Sequence, residues 1–386
     1  MSALIEGLFN GISIGSVLLI ASLGLAIVFG LMGVINLAHG ELMMLGAYTT
    51  FVVQNIFKPL GDPWFDFYII FSIPAAFVVA AIAGLILEKG VIRFLYGRPL
   101  ETLLATWGVS LILRQFVRSA NWLLIICIGV FCLFFFGGMT LLSRRPDWER
   151  IRNLIITLLL PVSAAIAVTT GFLINKFPVL TKAWFSARNV DVTAPGWLRG
   201  GAKVLDFQMP YARLFIIVLT IICLITVYWF LNRSTWGLRI RSVTQNREMS
   251  ACLGIPTAKV DALTFALGSG LAGVAGCAVS LLGSVGPNTG QNYIVDTFMV
   301  VVVGGVGNLL GSVLAAFGIG IISYLIGSGT LIFMLPSTES LTWLVDILTF
   351  FATSSMAKVM VFALIISFLQ IKPAGLFPQK GRTAEL

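Results

Sequence analysis

Residues 10–56 read NGISIGSVLLIASLGLAIVFGLMGVINLAHGELMMLGAYTTFVVQNI and contain two apolar stretches, at 10–33 and 38–56. Each stretch has close to the roughly 20 residues that an α-helix needs to cross the hydrocarbon core of a bilayer. A short, polar, glycine-rich break, FGLMGVINLAHGE at 29–41, separates them and leaves almost no room for a loop. This pattern predicts two consecutive membrane helices joined by an interruption rather than by an ordinary turn.

The composition extends this interpretation to the whole chain. Of the 386 residues, 58% are hydrophobic and only 11% are charged, and the mean hydropathy is +0.99. Such a chain lacks the charge that coats a soluble enzyme and the polarity of a disordered protein. We therefore predict an all-α, polytopic helical membrane protein that forms a single transmembrane domain over residues 1–386. We expect about eleven membrane segments, at 10–33, 38–56, 66–88, 103–119, 122–142, 153–175, 211–231, 262–282, 293–310, 311–328 and 356–371.

The basic residues indicate how the chain is oriented. The net charge is +9, and Lys and Arg recur at 89–98, 144–152, 233–259 and 372–382. If the segments alternate, these four regions share one side, which the positive-inside bias assigns to the cytoplasm. The N-terminus is then outside and the C-terminus cytoplasmic, although the basic loop at 176–210 also falls outside. No basic run is interleaved with aromatic residues, so nucleic acid is not an expected partner.

Two more polar interruptions occur later in the chain, GSVGPNTGQN at 283–292 and GGVGNLLG at 304–311. Interrupted hydrophobic segments in both halves of a chain are typical of a transport pathway. The candidates to line or gate a solute pathway are Asn36, His39, Glu41, Asn288, Gln291 and Asn308. Two alternatives stay open: the first break lies at the cytoplasmic interface, or the asparagines cap broken helices.

Glycine spacing supports two further predictions. The Gly-x-x-Asn of residues 33–36 recurs at 305–308, which hints at an internal repeat. Residues 268–273 fit the dinucleotide fingerprint GxGxxG, but no strand precedes them, and small residues spaced four apart favour close packing of membrane helices instead. That stripe consists of Gly268, Ala272, Gly276 and Ser280.

Several kinds of chemistry are not expected. The chain has one histidine, and its five cysteines are scattered without a CxxC pair, so neither a multi-histidine metal site nor a disulfide framework is predicted. No GxxxxGK[ST] phosphate loop occurs. We therefore expect no catalytic residue, metal or cofactor in this chain; if ATP drives the protein, another chain must hydrolyse it.

The polar segment at 232–261 is predicted to be a cytoplasmic coupling loop. It contains a short helix signature at 246–253, which a following glycine and proline bring to an end. A helix with a small-residue face can dock in a cleft of a partner protein. The spacing Glu248-x-x-Ala251-x-x-Gly254 resembles the EAA-type loop of ATP-binding-cassette permeases, whose coupling helix inserts into the ATPase subunit. The alternative is an ordinary solvated loop.

Several motifs together resemble the permeases of the branched-chain amino acid transporter family. They are NLAHGE at 36–41 followed by Gly-Ala-Tyr at 46–48, LTFALGSGLAGVAG at 263–276, GGVGNLLG at 304–311 and KPAGLF at 372–377. Within that family, three segments resemble the urea-transporting branch and its B-type permease subunit. These are RPLETLLATWGVSLIL at 98–113, NVDVTAPGWL at 189–198 and GPNTGQNYIVDTFMVVVVGGVGN at 286–308.

The resemblance implies a multi-pass subunit of a bacterial inner-membrane importer. Its implied partners are a sister permease, two ATP-binding subunits and a periplasmic urea-binding protein, with membrane lipid around them. Urea is small, neutral and planar, so its path needs paired hydrogen-bonding groups rather than a charge. We expect alternating access, driven by the coupling helix when the partner ATPases close.

One region departs from the family pattern. Residues 122–175 carry two apolar stretches around a basic turn, where the family runs almost directly into the NVDVTAP loop. An even number of added spans leaves the topology unchanged. Small-residue stripes are sparse in this segment, so we predict an inserted hairpin at the periphery of the bundle.

Three rival functions remain beside urea import. A branched-chain amino acid importer of the same family would need apolar pockets and helix N-termini directed at a carboxylate. A passive urea or water channel has no need of the coupling loop, and the NPA motif of aquaporin-type channels is absent. A proton-coupled carrier would find few ionisable groups from which to build a relay.

Overall fold

The structure, a computed structural model, describes residues 2–143, 148–185, 189–204, 207–330, 349–350 and 352–377. Within these residues the regular elements are helices apart from one short β-hairpin, which confirms the all-α class. The helices are α1 (Ser2–Met32), α2 (His39–Phe57), α3 (Tyr68–Gly90), α4 (Pro99–Ser119), α5 (Trp122–Leu142), α6 (Trp148–Ile174), α7 (Pro178–Thr181), α8 (Tyr211–Arg233), α9 (Thr235–Gln245), α10 (Arg247–Cys252), α11 (Thr257–Ser280), α12 (Thr289–Gly304), α13 (Leu309–Gly327) and α14 (Ser354–Ile371). Short 3-10 turns lie at Lys58–Leu60, Trp64–Phe67, Ile92–Phe94 and Gly196–Leu198.

Each of the eleven predicted membrane segments corresponds to a helix. Among the described residues, seven helices are long and apolar enough to cross a membrane: α1, α3, α5, α6, α8, α11 and α13. Helix α14 contributes a shorter apolar stretch, Met356–Ile371. By the same measure, helices α2, α4 and α12 are either too short or not apolar enough. The polytopic membrane class is confirmed.

Two details differ from the prediction. The segment expected at 293–310 ends at Gly304, because Gly305 and Gly307 adopt positive φ angles of 98° and 84° and turn the chain before α13. The loop expected at 176–210 contains β1 (Gly201–Val204), which pairs antiparallel with β2 (Phe207–Pro210).

The chain divides into two compact units, residues 1–111 with 191–386 and residues 112–190. The smaller unit contains α5, α6 and α7. Asn121 caps α5 by accepting a hydrogen bond from the backbone N–H of Leu124 at 2.7 Å. Helices α5 and α6 pack against each other, and no residue of α5 is buried. Residues 144–147, part of the basic turn expected there, lie outside the described residues.

Helix α11 is the central helix of the larger unit. It is buried along most of its length and packs against α1, α2 and α3. A Cβ added at Gly268 would lie 2.6 Å from the carbonyl oxygen of Gly24 in α1, and one at Gly276 would overlap the carbonyl oxygen of Met43 in α2. Because no side chain fits at either contact, the small-residue stripe of α11 acts in close helix packing, as the sequence predicts.

Helices α1 and α13 pack through a second set of small residues. A Cβ added at Gly11 would lie 2.7 Å from the Cα of Ile321, and one at Gly15 would lie 2.9 Å from the carbonyl oxygen of Ala316. These contacts fix α13 along the N-terminal half of α1, so that α1 is enclosed by α8, α11, α12 and α13.

Candidate functional site

Helix α2 begins beside the middle of α1 rather than beside its end. The Nε2 of His39, the first residue of α2, lies 3.0 Å from the carbonyl oxygen of Ala21. Ala21 precedes Met32, the last residue of α1, by about 16 Å of helix axis. The break at 33–38 therefore runs back along α1 before the next helix starts.

The break itself is held by turn geometry and by α4. Gly33 has a φ of 68°, a left-handed conformation that glycine adopts without strain and that reverses the chain. The backbone N–H of Leu37 donates to the hydroxyl of Thr106 in α4 at 3.2 Å. Val34 and Ala38 are buried in an apolar cluster with Leu87 and Phe265. The segment is thus ordered although it is not helical.

Helix α12 begins where α2 begins. A Cβ on Gly40 would overlap the carbonyl oxygen of Gly290, and a Cβ on Gly290 would overlap that of Gly40. From this contact α2 runs to the start of α3, where Phe57 packs in a cluster with Tyr68. From the same contact, α12 runs towards the C-terminal end of α1. The N-terminal turns of two helices therefore meet beside the middle of α1, and each carries a partial positive charge.

Three of the predicted pathway residues lie buried at this meeting point. Asn36, His39 and Glu41 are 1%, 0% and 1% exposed. The side-chain oxygen of Asn36 accepts a hydrogen bond from the N–H of Ala38 at 3.0 Å. Glu41 accepts one from the hydroxyl of Ser110 in α4 at 3.0 Å. The first break is therefore buried among protein elements at its Asn-Leu-Ala-His-Gly-Glu sequence.

Two buried polar atoms of the break have no hydrogen-bond partner among the described residues: Nδ2 of Asn36 and Nδ1 of His39. A carbonyl oxygen can only accept a hydrogen bond, so Nε2 of His39 is the protonated nitrogen and donates to Ala21. In the neutral ring with this tautomer, Nδ1 is an acceptor. Asn36 Nδ2 is a donor. A buried polar atom without a partner costs about 1–3 kcal/mol, so this donor and acceptor suit a bound polar molecule.

Asn288 and Gln291 occupy the start of α12 beside that contact. Both side chains are exposed on the surface of the chain, as is the neighbouring Asn292. Asn288 is the N-cap residue of α12 but makes no side-chain capping bond. These residues flank Gly290, which touches Gly40, so the structure brings them to the same level of the fold as the first break.

Asn308 lies elsewhere. Its side chain accepts a hydrogen bond from the N–H of Gly311 at 3.2 Å and caps α13. The adjacent Gly307 contacts Gly30, close to the C-terminal end of α1. The structure thus separates Asn308 from the other five predicted residues and favours the capping alternative for it.

The predicted coupling segment forms helices α9 and α10. Asn246 caps α10 by accepting from the N–H of Met249 at 2.9 Å, and Gly254 ends the motif with a φ of 80°. This confirms the short helix expected at 246–253. Its outer surface is open, since Glu248, Ala251 and Gly254 are all exposed and Leu253 is 76% exposed.

Sequence reasoning missed the ionic groups beneath this segment. Arg247 of α10 forms an ion pair with Asp261 of α11 at 2.7 Å, and its guanidinium lies 4.8 Å from the ring centroid of Tyr96. The hydroxyl of Tyr96 donates to Glu88 of α3 at 3.2 Å. Burial, together with the carboxylates of Asp261 and Glu88, raises the pKa of Tyr96 above its ordinary range, so the hydroxyl stays protonated.

A second unpredicted ion pair joins α12 and α14. Lys358 lies 3.1 Å from the carboxylate of Asp296 and also donates to the backbone oxygen of Asn292 at 3.4 Å. The only hint in the sequence was a single acidic and a single basic residue within otherwise apolar segments. Their pairing across 62 positions has no periodic signature.

Comparison with known proteins places this architecture in a family. The family described as the permease component of the branched-chain amino acid transport system matches residues 7–369. BraD of Pseudomonas aeruginosa, a high-affinity branched-chain amino acid transport system permease protein, is 23% identical over 320 residues, which cover 82% of this chain and 84% of the relative. LivH of Escherichia coli K12, with the same description, is also 23% identical over 320 residues, with the same coverage.

A more distant relative is the fructose import permease protein FrcC of Rhizobium meliloti, 26% identical over 114 residues, or 28% of this chain and 32% of the relative. No solved structure matches the chain. The match to the permease component extends over nearly the whole sequence and includes both broken-helix regions and the α9–α10 segment. The chain belongs to the branched-chain amino acid transport permease family and is a non-catalytic, multi-pass membrane subunit of the ATP-binding-cassette type.

Proposed function

We propose that this chain is the permease subunit of an ATP-driven importer for urea, and that the solute passes the meeting point of α2 and α12. The observation that carries the proposal is that two buried polar atoms have no partner in the part of the chain that the structure describes: the donor Asn36 Nδ2 and the acceptor His39 Nδ1. Urea offers one carbonyl acceptor and four N–H donors, so it complements both atoms without bringing a net charge to this depth.

The helix termini support the same assignment. Two N-terminal turns meet at Gly40 and Gly290 and create a positive environment for the carbonyl oxygen of a solute. Glu41, in the first turn of α2, supplies an acceptor for N–H groups and offsets part of that positive charge. A site with these elements selects a small molecule that has both an acceptor oxygen and several donors.

The exposed start of α12 supports a partner at this level. Asn288 and Gln291 lie beside the middle of a membrane-spanning helix, where polar side chains in contact with lipid are unfavourable. A water-filled path or a second permease subunit would remove that cost. We therefore propose that a sister permease faces α12 and that the pathway runs between the two subunits.

A second candidate solute is a branched-chain amino acid, because that is what the names of BraD and LivH specify. The two helix N-termini would suit its carboxylate, and Glu41 its ammonium group. The three segments that resemble the urea-transporting branch, 98–113, 189–198 and 286–308, favour urea over this candidate.

We propose the α9–α10 segment as the contact with an ATP-binding subunit. Its supporting features are the exposed small residues Ala251 and Gly254 and the exposed apolar Leu253. On this basis the segment is cytoplasmic, the N-terminus lies outside, and a periplasmic urea-binding protein delivers the solute on the opposite face of an inner membrane. Two ATP-binding subunits serve the pair of permeases.

The coupling segment can be tested by substitution at its surface. Ala251→Arg places a long charged side chain where a docking cleft accepts a small one, and we expect ATP-driven uptake to fall by about tenfold or more. Lys259→Ala serves as the control, since it changes an exposed charge of α11 outside α10. Normal uptake with Ala251→Arg would remove α10 from the contact.

The function itself is tested by uptake of radiolabelled urea into vesicles that contain the complete importer, with and without ATP. We expect urea accumulation that depends on ATP and is not reduced by excess leucine. Accumulation of leucine but not urea would establish the second candidate. Equilibration of urea without ATP would identify a passive channel and contradict the proposal.

A further inference from the structure

We propose that Arg247 is a positioning residue that links the coupling helix α10 to the first break, through Asp261, Tyr96 and Glu88. This inference rests on the proposed function, because it explains how an event at the ATPase contact reaches the solute pathway. We name Arg247, Asp261, Tyr96 and Glu88 the ionic link.

Arg247 connects an exposed helix to a buried one. It is the first residue of α10, whose outer surface is exposed, and its guanidinium pairs with Asp261 at 2.7 Å. Asp261 is only 4% exposed and belongs to α11, the central helix of the larger unit. A displacement of α10 must therefore move α11 with it or break this ion pair.

Tyr96 connects Arg247 to a second helix. Its ring lies under the guanidinium of Arg247, at 4.8 Å from the ring centroid, a cation–π contact. Its hydroxyl donates to Glu88, which is 1% exposed near the end of α3. Arg247 thus contacts the buried carboxylate of Asp261 in α11 directly and that of Glu88 in α3 through Tyr96.

The ionic link also packs against the first break. Tyr96 packs against an apolar cluster that contains Leu87 of α3, Phe265 of α11 and, from the break, Val34 and Ala38. Ala38 directly precedes His39. A continuous series of packed residues therefore leads from α10 to Ala38, next to His39, which provides a physical route for coupling between the two sites.

A separate hydrogen bond supports the same route. The hydroxyl of Thr244, near the end of α9, donates to the carbonyl oxygen of Leu31 at 3.1 Å. Leu31 lies in the last turn of α1, immediately before the break. Both helices of the coupling segment are thus attached to elements that flank residues 33–38.

The chain offers a matched control for the test. Arg98, directly before α4, also forms an ion pair, with Glu101 at 3.2 Å, but both side chains are exposed. Arg98→Gln removes the same charge and an ion pair that lies outside the α9–α10 segment. Arg247→Gln instead breaks the ionic link, whose two carboxylates are buried.

The experiment uses the complete importer in vesicles and measures ATP-driven uptake, ATP hydrolysis and co-purification of the ATP-binding subunits. We expect Arg247→Gln to lower uptake by roughly tenfold while ATP hydrolysis and co-purification persist. Arg247→Lys, which keeps the charge, recovers part of the uptake. Arg98→Gln retains the uptake of the unmodified chain.

A double variant distinguishes a role of Arg247 in coupling from a purely structural role. Arg247→Gln combined with Asp261→Asn leaves no unpaired buried charge, so it restores thermal stability if stability is the only function of the pair. The inference predicts that uptake stays low in this double variant. Recovery of uptake together with stability would overturn it.

A readout that is independent of the solute separates this inference from the proposed function. Hydrogen exchange of the backbone amides at 33–38 is measured with and without ATP in the same complex. We expect a nucleotide-dependent change in the unmodified chain and in Arg98→Gln, and its loss in Arg247→Gln. The same change in Arg247→Gln, or none in the unmodified chain, would overturn the ionic link, whereas absent urea uptake with the change intact would contradict only the choice of solute.

Discussion

The break at 33–38 and the turn at 305–308 share the spacing Gly-x-x-Asn but have different surroundings. In the first, Asn36 is buried beside His39 and keeps a side-chain N–H₂ without a partner among the described residues. In the second, the side chain of Asn308 accepts from a backbone N–H of α13 and caps that helix. Asn36 therefore has a donor available for a solute, whereas the side chain of Asn308 stabilises the start of α13.

The two sites also differ in depth. His39 bonds to Ala21, in the middle of α1, whereas Gly307 contacts Gly30, near the end of the same helix. A polar group costs most where no water reaches it, so the same short motif has different consequences at the two levels. The spatial counterpart of the first break is the start of α12, which touches it at Gly290, rather than the turn that repeats its sequence.

The largest effect is expected where the two helix starts meet. Gly40→Ala inserts a Cβ that overlaps the carbonyl oxygen of Gly290, and we expect it to lower the free energy of unfolding by about 1–3 kcal/mol and to abolish uptake. Thermal unfolding in detergent and uptake in vesicles measure both effects. Gly318→Ala in α13 is the control, because nothing lies within 4 Å of its added Cβ. Equal effects of the two variants would contradict the close contact of α2 and α12.

A smaller effect is expected at Glu41. Glu41→Leu leaves the hydroxyl of Ser110 without its acceptor, at a cost of about 1–3 kcal/mol, and removes an acceptor for the solute, so uptake should fall strongly. Glu41→Gln keeps an acceptor oxygen, and for a neutral solute we expect it to be partly tolerated. Kinetics of urea uptake by both variants test this order. If Glu41→Gln were as inactive as Glu41→Leu, the negative charge itself would be required.

The smallest effect is expected at the turn at 305–308. Asn308→Ala removes the cap of α13 and should lower the free energy of unfolding by about 1 kcal/mol while uptake persists. Asn308→Asp keeps a capping oxygen and should restore stability. Thermal unfolding of the two variants measures the difference. A selective loss of uptake with unchanged stability would instead place Asn308 on the pathway.

The sequence predicted the helices well because apolar length is visible in composition. The segment expected at 122–142 coincides with α5, and the short helix of the coupling segment lies where Asn246 and Gly254 indicated. The end of α12 was placed too late, at residue 310, although the sequence marks 304–311 as an interruption, because Leu309 and Leu310 continue the apolar run past the turn at Gly305 and Gly307. The hairpin of β1 and β2 was missed because two four-residue strands give no lasting alternation.

The candidate site was predictable in its residues and not in its arrangement. A histidine and a carboxylate within an apolar region mark the first break in the sequence, but nothing there shows that residues 33–38 return to the middle of α1. The pairing of Arg247 with Asp261, and of Tyr96 with Glu88, depends on tertiary contact between groups on different helices. The residue pattern within a single helix does not indicate such pairs.

The central claim is that the first break, and not the turn at 305–308, contacts the solute. It is tested most directly by ATP-driven urea uptake in complexes carrying Asn36→Leu or Asn308→Leu, with assembly verified by co-purification of the ATP-binding subunits. We predict that Asn36→Leu loses uptake while the complex still assembles, and that Asn308→Leu retains uptake at reduced thermal stability. Normal uptake by an assembled Asn36→Leu complex would contradict the account.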